Sequence, residues 1–261
     1  MEKKTEKIEE PQKLEMGMSD NTDPGSSSVT GFELPTGYLD DEGVLHKSIV
    51  ITEMTCVEED ILTAKRMNHI QKIGKILENC IQSIGTVQKG DPSWLKAVRS
   101  LTASDRMASL IAIRVLSLGD SFSFKVKCPH CEKESNQTAS LSEFKISGLP
   151  NPYERAWKGI LPRSKKGYEC KILTGLDEDK NAVDAPDPMT QLILSRLISL
   201  AGKKPSIEDV KKLSSMDRNH LRLEVRSKEG EIDNEIEIEC PHCQEEFKSE
   251  LSIGNASFFF P

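Results

Sequence analysis

The sequence predicts an α+β protein of two diverged tandem repeats. Each repeat carries helices and a β-hairpin zinc knuckle, and the two are joined through a shared four-cysteine site of zinc-ribbon type. Three observations predict this. The tetrad Cys-Pro-His-Cys occurs twice, at 128–131 and 240–243. Each copy follows an alternating run, Phe122 to Lys127 and Asn234 to Glu239, with the period of two that marks a strand covered on one side. Finally, Cys128 and Cys240, Asp105-Arg106 and Asp217-Arg218, and Arg114 and Arg226 all recur at a spacing of 112 residues. Convergence of two unrelated ribbons is the competing explanation.

The elements follow in order. Residues 1–30 are rich in Glu, Lys, Ser and Asp and poor in large apolar residues, the composition of a disordered tail. Residues 31–150 form the first repeat. Phe32–Leu39 and Val44–Ile51 flank Asp40-Asp41-Glu42-Gly43 and read as a hairpin. Thr55 with Glu58 is a capping box that opens a short helix. Ile70, Ile73, Ile76, Leu77, Cys80, Ile81 and Ile84 recur at three and four, which predicts an amphipathic helix over 67–84. Cys56 and Cys80 read as buried small hydrophobes. Thr102 caps a helix that stops at Gly119 and feeds the first cysteine hairpin.

Pro150-Asn151-Pro152 marks the boundary to the second repeat, 151–261. Tyr168–Leu173 reads as a strand. Asp187-Pro188 opens a helix through Leu200 that ends at Gly202. Ser206 and Ser214 open two more, ahead of the second cysteine hairpin and the terminal Phe258-Phe259-Phe260-Pro261.

A Cys-x-x-Cys turn can aim two sulfurs at one point, and two such turns make a closed tetrahedral site, the usual form of structural zinc. Cys128, Cys131, Cys240 and Cys243 are therefore the expected zinc ligands. Each repeat holds only two of them, so a shared metal would clamp the halves together. Such a metal contributes on the order of 10 kcal/mol or more in small peptides. His130 and His242 read as exposed turn residues, because four sulfurs already fill the site. Redox chemistry ranks below zinc: the tetrad also serves thiol oxidases, but there it opens a helix, and no helical apolar spacing follows Cys131 or Cys243. Structural disulfides rank lower still, since no secretory signal is visible. Lys125 and Lys127 on one ribbon and Glu237 and Glu239 on the other are expected to lie side by side as opposite charges.

Composition narrows the function. A net charge of −7 argues against nucleic acid or an anionic membrane as the partner. No apolar run approaches the ~20 residues of a membrane span. A charged N-terminus is unlike a signal peptide, so a cytoplasmic setting with reduced thiols is expected. No nucleophile with a nearby base, glycine-rich phosphate loop or paired histidines calls for catalysis.

Several stretches resemble a known family in their order along the chain. They are Leu34-Pro35-Thr36-Gly37 with Gly43-Val44-Leu45, and Ile51–Thr55 running into Glu58–Leu62. Asp105-Arg106, Ile113–Asp120, the Cys-Pro-His-Cys turns and the Phe-Phe-Phe-Pro end follow. Together they resemble the T-even-type bacteriophage baseplate hub protein family of contractile-tailed phages, over about 32–261 and most clearly in the first half. The resemblance implies a non-enzymatic protein acting in baseplate hub assembly, as a structural component or chaperone, in the host cytoplasm and in the virion tail. It implies other tail or baseplate proteins as partners. Phe258, Phe259 and Phe260 are expected first to fold back and fill a groove on the chain's own core, and otherwise to dock into a partner as aromatic anchors. Many family members have glycine after the second cysteine of a turn; this chain has Glu132 and Gln244, which is expected to disfavour a left-handed turn there. A zinc-ribbon nucleic-acid-binding factor is the alternative, disfavoured by Glu235, Glu237, Glu239, Glu245 and Glu246. A thiol oxidoreductase is a distant third.

Overall fold

The structure is a computed structural model that describes residues 29–177, 188–250 and 256–259. The expected tail thus lies almost wholly outside the described residues, as do Asp187, Phe260 and Pro261. The fold is mixed α+β, with several small sheets.

The first half opens with the expected hairpin, β1 (Val29–Leu39) against β2 (Leu45–Thr52). The Asp40 carboxylate closes its turn by accepting from the amides of Glu42 and Val44 at 2.9 and 2.8 Å. Thr55 and Glu58 form the expected capping box at the head of α1 (Cys56–Thr63). Helix α2 (His69–Cys80) starts at a second capping box, Asn68 with Gln71.

The helix expected to run to 84 stops at Cys80. Ile81–Ile84 is strand β3, paired to β2 through Ile81 with Ile51 and Ile84 with Ile49. The spacing of three between Ile81 and Ile84 is helical, but the open edge of β2 pairs the segment as a strand, with a bulge between Val50 and Ile51. With β4 (Val87–Gln88) the sheet order is β1-β2-β3-β4. After α3 (Trp94–Arg99), helix α4 (Ala103–Leu118) packs on β1, β2 and α2 and is buried along most of its length. It leads to β5 (Ser121–Lys127), β6 (Glu134–Ser140) and β7 (Lys145–Ile146).

The second half presents a similar run. Strands β8 (Ala156–Ile160) and β9 (Gly167–Lys171) precede α5 (Pro188–Arg196), which passes directly into β10 (Leu197–Leu200). The sheet order is β10-β9-β8. Here again the expected helix gives its last turn to a strand. Helices α6 (Ile207–Lys211) and α7 (Ser215–Lys228) follow, both capped by serine, Ser206 and Ser214. Then come β11 (Ile232–Asp233), β12 (Glu235–Glu239), β13 (Glu246–Glu250) and the short α8 (Ala256–Phe259).

Buried side chains form two clusters. One spans Phe32 to Ile146 and also takes Phe258 and Phe259. The other spans Leu149 to Leu221. Ile232 and Ile236 pack against the first cluster, so the chain leaves it near 147 and returns to it beyond 230. Where it leaves, Gly148 lies so close to β1 that a Cβ would sit 2.0 Å from the Pro35 carbonyl oxygen. Where it returns, β11 pairs with β7 through Ile232 and Ile146. Among the described residues no helix is long and apolar enough to cross a membrane.

Candidate metal centre

Each cysteine tetrad sits in the turn of its own hairpin. Strands β5 and β6 pair in unbroken register from Ser121–Ser140 to Lys127–Glu134. Strands β12 and β13 pair from Glu235–Glu250 to Glu239–Glu246. The two turns repeat each other bond for bond. Cys128 donates its amide to the Lys133 carbonyl at 3.0 Å and accepts from Glu132 at 2.9 Å. Cys240 donates to Glu245 at 3.0 Å and accepts from Gln244 at 2.8 Å. Glu132 and Gln244 have φ of 59° and 63°. Both are left-handed, contrary to the expectation from their side chains: the paired backbone bonds at each knuckle outweigh a cost of about 1–2 kcal/mol per residue.

The four sulfurs converge. Cys128 and Cys243 Sγ are 3.8 Å apart, Cys131 and Cys240 Sγ are 3.7 Å apart, and all four lie within 4.8 Å of one another. A tetrahedron with metal–sulfur bonds of about 2.3 Å has edges of about 3.8 Å. The amides of His130 and His242 point at Cys128 and Cys240 Sγ, at 3.4 and 3.5 Å. Cys128 and Cys240 are buried, and Cys131 and Cys243 are half-buried. Four cysteines 109 to 115 residues apart across the two ribbons could thus hold one metal ion.

Electrostatics favour a cation at this point. Desolvation opposes the Cys240 thiolate, but the amides of His242 and Cys243 and the neighbouring thiols prevail and lower it to about 6. At Cys243 the Glu245 amide favours ionisation, but desolvation and the sulfurs of Cys240, Cys131 and Cys128 push it up to about 12. One thiolate forms readily and suppresses the next until a positive charge is shared among them. Elsewhere Cys80 and Cys170 are buried, and desolvation is the main reason that both rise to about 12. Cys56, expected to be buried, is exposed at the first position of α1.

His130 and His242 are exposed; His242 Nε2 lies 3.3 Å from the Glu134 carbonyl oxygen, on the other ribbon. The expected pairing of Lys125 and Lys127 with Glu237 and Glu239 is not made. Among the described residues strand β5 pairs with β6 alone and β12 with β13 alone. Lys127 reaches Glu132 at 3.8 Å and Glu235 reaches Lys248 at 3.2 Å, each within its own ribbon. The ribbons meet at their tips, so the flank of β5 never comes alongside β12.

A second constellation joins motifs far apart in sequence. Asp105, fully buried, accepts from the amides of Thr36 at 2.7 Å and Gly37 at 3.1 Å, and from the Thr102 hydroxyl at 2.7 Å. The Leu-Pro-Thr-Gly stretch and the Asp-Arg pair are therefore one structural unit. The far side of that unit holds the second half: Leu149 donates to Thr36 Oγ at 3.0 Å and Arg155 to the Gly37 carbonyl at 2.9 Å. Asp217, at the Ser214 cap of α7, accepts from the amides of Arg163 and Ser164 in the β8–β9 turn. In the sequence each aspartate stands three residues after a capping hydroxyl, Thr102 or Ser214, but nothing there signals the loops they hold.

Arg114 and Arg226, matched by spacing, differ. Arg114 is buried and donates to the carbonyls of Gly119 at 2.7 Å, Phe258 at 3.0 Å and Ser121 at 3.3 Å. Arg226 is exposed beside Glu231. The Phe258 bond bears on the expected aromatic anchors. Phe258 and Phe259 are 0% and 1% exposed, and the Phe258 ring lies 5.5 Å from that of Phe122. They fill the first core and offer no surface to a partner, because a single helical turn directs both rings inward.

Residues 41–160 match the family described as T4 bacteriophage base plate protein. No curated protein and no solved structure matches the chain. The matched segment includes Asp105-Arg106, helix α4 and the whole first cysteine ribbon. The match covers 120 of the 261 residues and supports a T4-type phage baseplate protein.

Proposed function

We propose that the chain is a non-enzymatic, zinc-stapled component of the baseplate hub that acts in its assembly in the host cytoplasm, as a structural piece or chaperone. The observation that carries this reading is the convergence of Cys128, Cys131, Cys240 and Cys243 to within 4.8 Å. All-sulfur ligation suits zinc, and four protein ligands leave no open position for a substrate. When bound, the metal would supply cohesion at the tips of two ribbons that are otherwise joined by the β7–β11 pairing at their bases. The repeated order of strands, capped helices and hairpin supports descent of both halves from one duplicated unit.

The exposed carboxylates of Glu235, Glu237, Glu239, Glu245 and Glu246 disfavour a nucleic-acid partner. The hairpin setting of both tetrads lacks the helix N-terminus that activates oxidoreductase thiols.

Elemental analysis of purified protein tests the reading: about one zinc per chain is expected. Cys128→Ser should lose the metal and loosen both ribbons, read as faster amide exchange in β12 and β13 as well as β5 and β6. Two metals per chain, none in reducing buffer, or loosening of the first ribbon alone would overturn it. Co-purification with hub proteins from infected cells tests the assembly role separately.

A further inference from the structure

The two ribbons touch at their tips, through the four sulfurs, and at their bases, through β7 and β11. Between these points a cleft of about 520 Å³ opens. Its lining reveals which part of each ribbon it follows. A cleft over a sheet face is lined by alternate residues, since neighbours point to opposite sides. This one is lined by residues 137–140 of β6 and 235–239 of β12 in unbroken succession. It therefore runs along the two strand edges.

Among the described residues strand β6 has only β5 as a neighbour, and β12 has only β13. Both edges toward the cleft present backbone groups that have no strand partner among the described residues. Such edges accept an added strand. Five residues of β12 line the slot, a length of about 17 Å at the rise of a strand. Phe124, Phe144 and Ile236 supply apolar lining for alternate side chains of an occupant. The charge is one-sided: Asp233, Glu235, Glu237 and Glu239 line the cleft against Lys145 alone.

We propose that this cleft is a strand-acceptor site for an extended, basic segment of a partner polypeptide, which inserts between β6 and β12 and bridges the two ribbons. Main-chain bonds would supply the registry. Alternate apolar side chains would enter toward Phe124 and Ile236, and the intervening lysines or arginines would meet the carboxylates of β12. A nucleic acid would face the same carboxylates and be repelled. The proposal rests on the baseplate reading only for the source of the segment, a neighbouring tail protein.

The test uses the full-length protein, with metal content measured on the same sample, and a fluorescent peptide of about seven residues alternating lysine and valine. Saturable binding below about 1 mM is expected. N-methylation at alternate residues of the peptide should abolish it, because it removes main-chain donors and leaves the charge. Glu237→Gln with Glu239→Gln should weaken it about tenfold without changing melting or metal content. Amide exchange should slow in β6 and β12 when the peptide is bound. Absence of binding to folded protein, or equal binding of the N-methylated peptide, would overturn the proposal. A metal-free preparation that still binds the peptide would sink the zinc reading and leave the strand-acceptor site standing.

Discussion

Replacing Phe258 by alanine should unfold the first half more readily than any change at an exposed position. The ring is fully buried, it packs against Phe122 and Phe259 with centroids 5.5 and 5.1 Å away, and its backbone carbonyl accepts from the buried Arg114 guanidinium. Truncating a buried phenylalanine costs about 3–5 kcal/mol through lost transfer energy and the cavity left behind. For a chain of this size each kcal/mol lowers Tm by about 2–4 °C, so the shift should be roughly 6–20 °C. Phe258→Leu keeps most of the volume and should cost about 1.5 kcal/mol. Arg114→Met removes the other hold on the same segment. Once Phe258→Ala has released α8, part of what Arg114 contributes is already gone, so the two losses should sum to less than their separate values. Urea denaturation at fixed zinc concentration measures the wild type and all four variants under one metal linkage. A loss below about 1 kcal/mol for Phe258→Ala, the size of a typical surface change, would refute the placement of α8 in the core.

The two capped aspartates should respond to acid in opposite directions. Desolvation raises Asp105 above the ordinary 3.8, against the opposing bonds from Thr102, Thr36 and Gly37. Its folded form takes up a proton more readily than the unfolded chain, so the wild type gains on Asp105→Asn as pH falls through the raised value, and that gain is lost as pH rises again. At Asp217 desolvation is outweighed by the amides of Arg163 and Ser164 and the side chains of Ser164 and Ser214, which lower it. There the wild type loses on Asp217→Asn as pH falls below 3.8. Urea midpoints of each pair across the acid range check both signs, and slopes of the same sign would refute the assignment. Glu132→Gly and Gln244→Gly should each stabilise by about 1 kcal/mol, because glycine carries no left-handed penalty; a loss in Tm would count against the knuckle geometry. Lys125→Glu with Lys127→Glu, combined with Glu237→Lys and Glu239→Lys, should be additive to about 0.5 kcal/mol. A larger coupling in the double-mutant cycle would place β5 beside β12 after all.

Local chemistry was legible in the sequence wherever one short stretch carries its own instructions. Thr55 with Glu58, Thr102 before α4 and Ser214 before α7 start helices because a hydroxyl three residues before an amide can accept from it. The cysteine hairpins were legible because alternation and turn spacing need no distant partner, and the four sulfurs could be named because two half-sites imply a whole. Tertiary structure decided what depends on a distant neighbour. Ile81–Ile84 and Leu197–Leu200 carry apolar residues three apart, a helical spacing, and an adjacent strand edge, β2 or β9, drew them into a sheet with a register shift in each pairing. Spacing equated Arg114 with Arg226, but only Arg114 is buried, with its guanidinium held by the carbonyls of Gly119, Ser121 and Phe258. The terminal phenylalanines suited their own core or a partner, the core being preferred, and helix α8 turned Phe258 and Phe259 onto the first core. Thr36, Gly37 and Asp105 carried no pattern linking them, since a side-chain bond spanning 69 residues leaves no periodicity to read. A chain writes its turns and caps locally, but burial is a property of what folds on top.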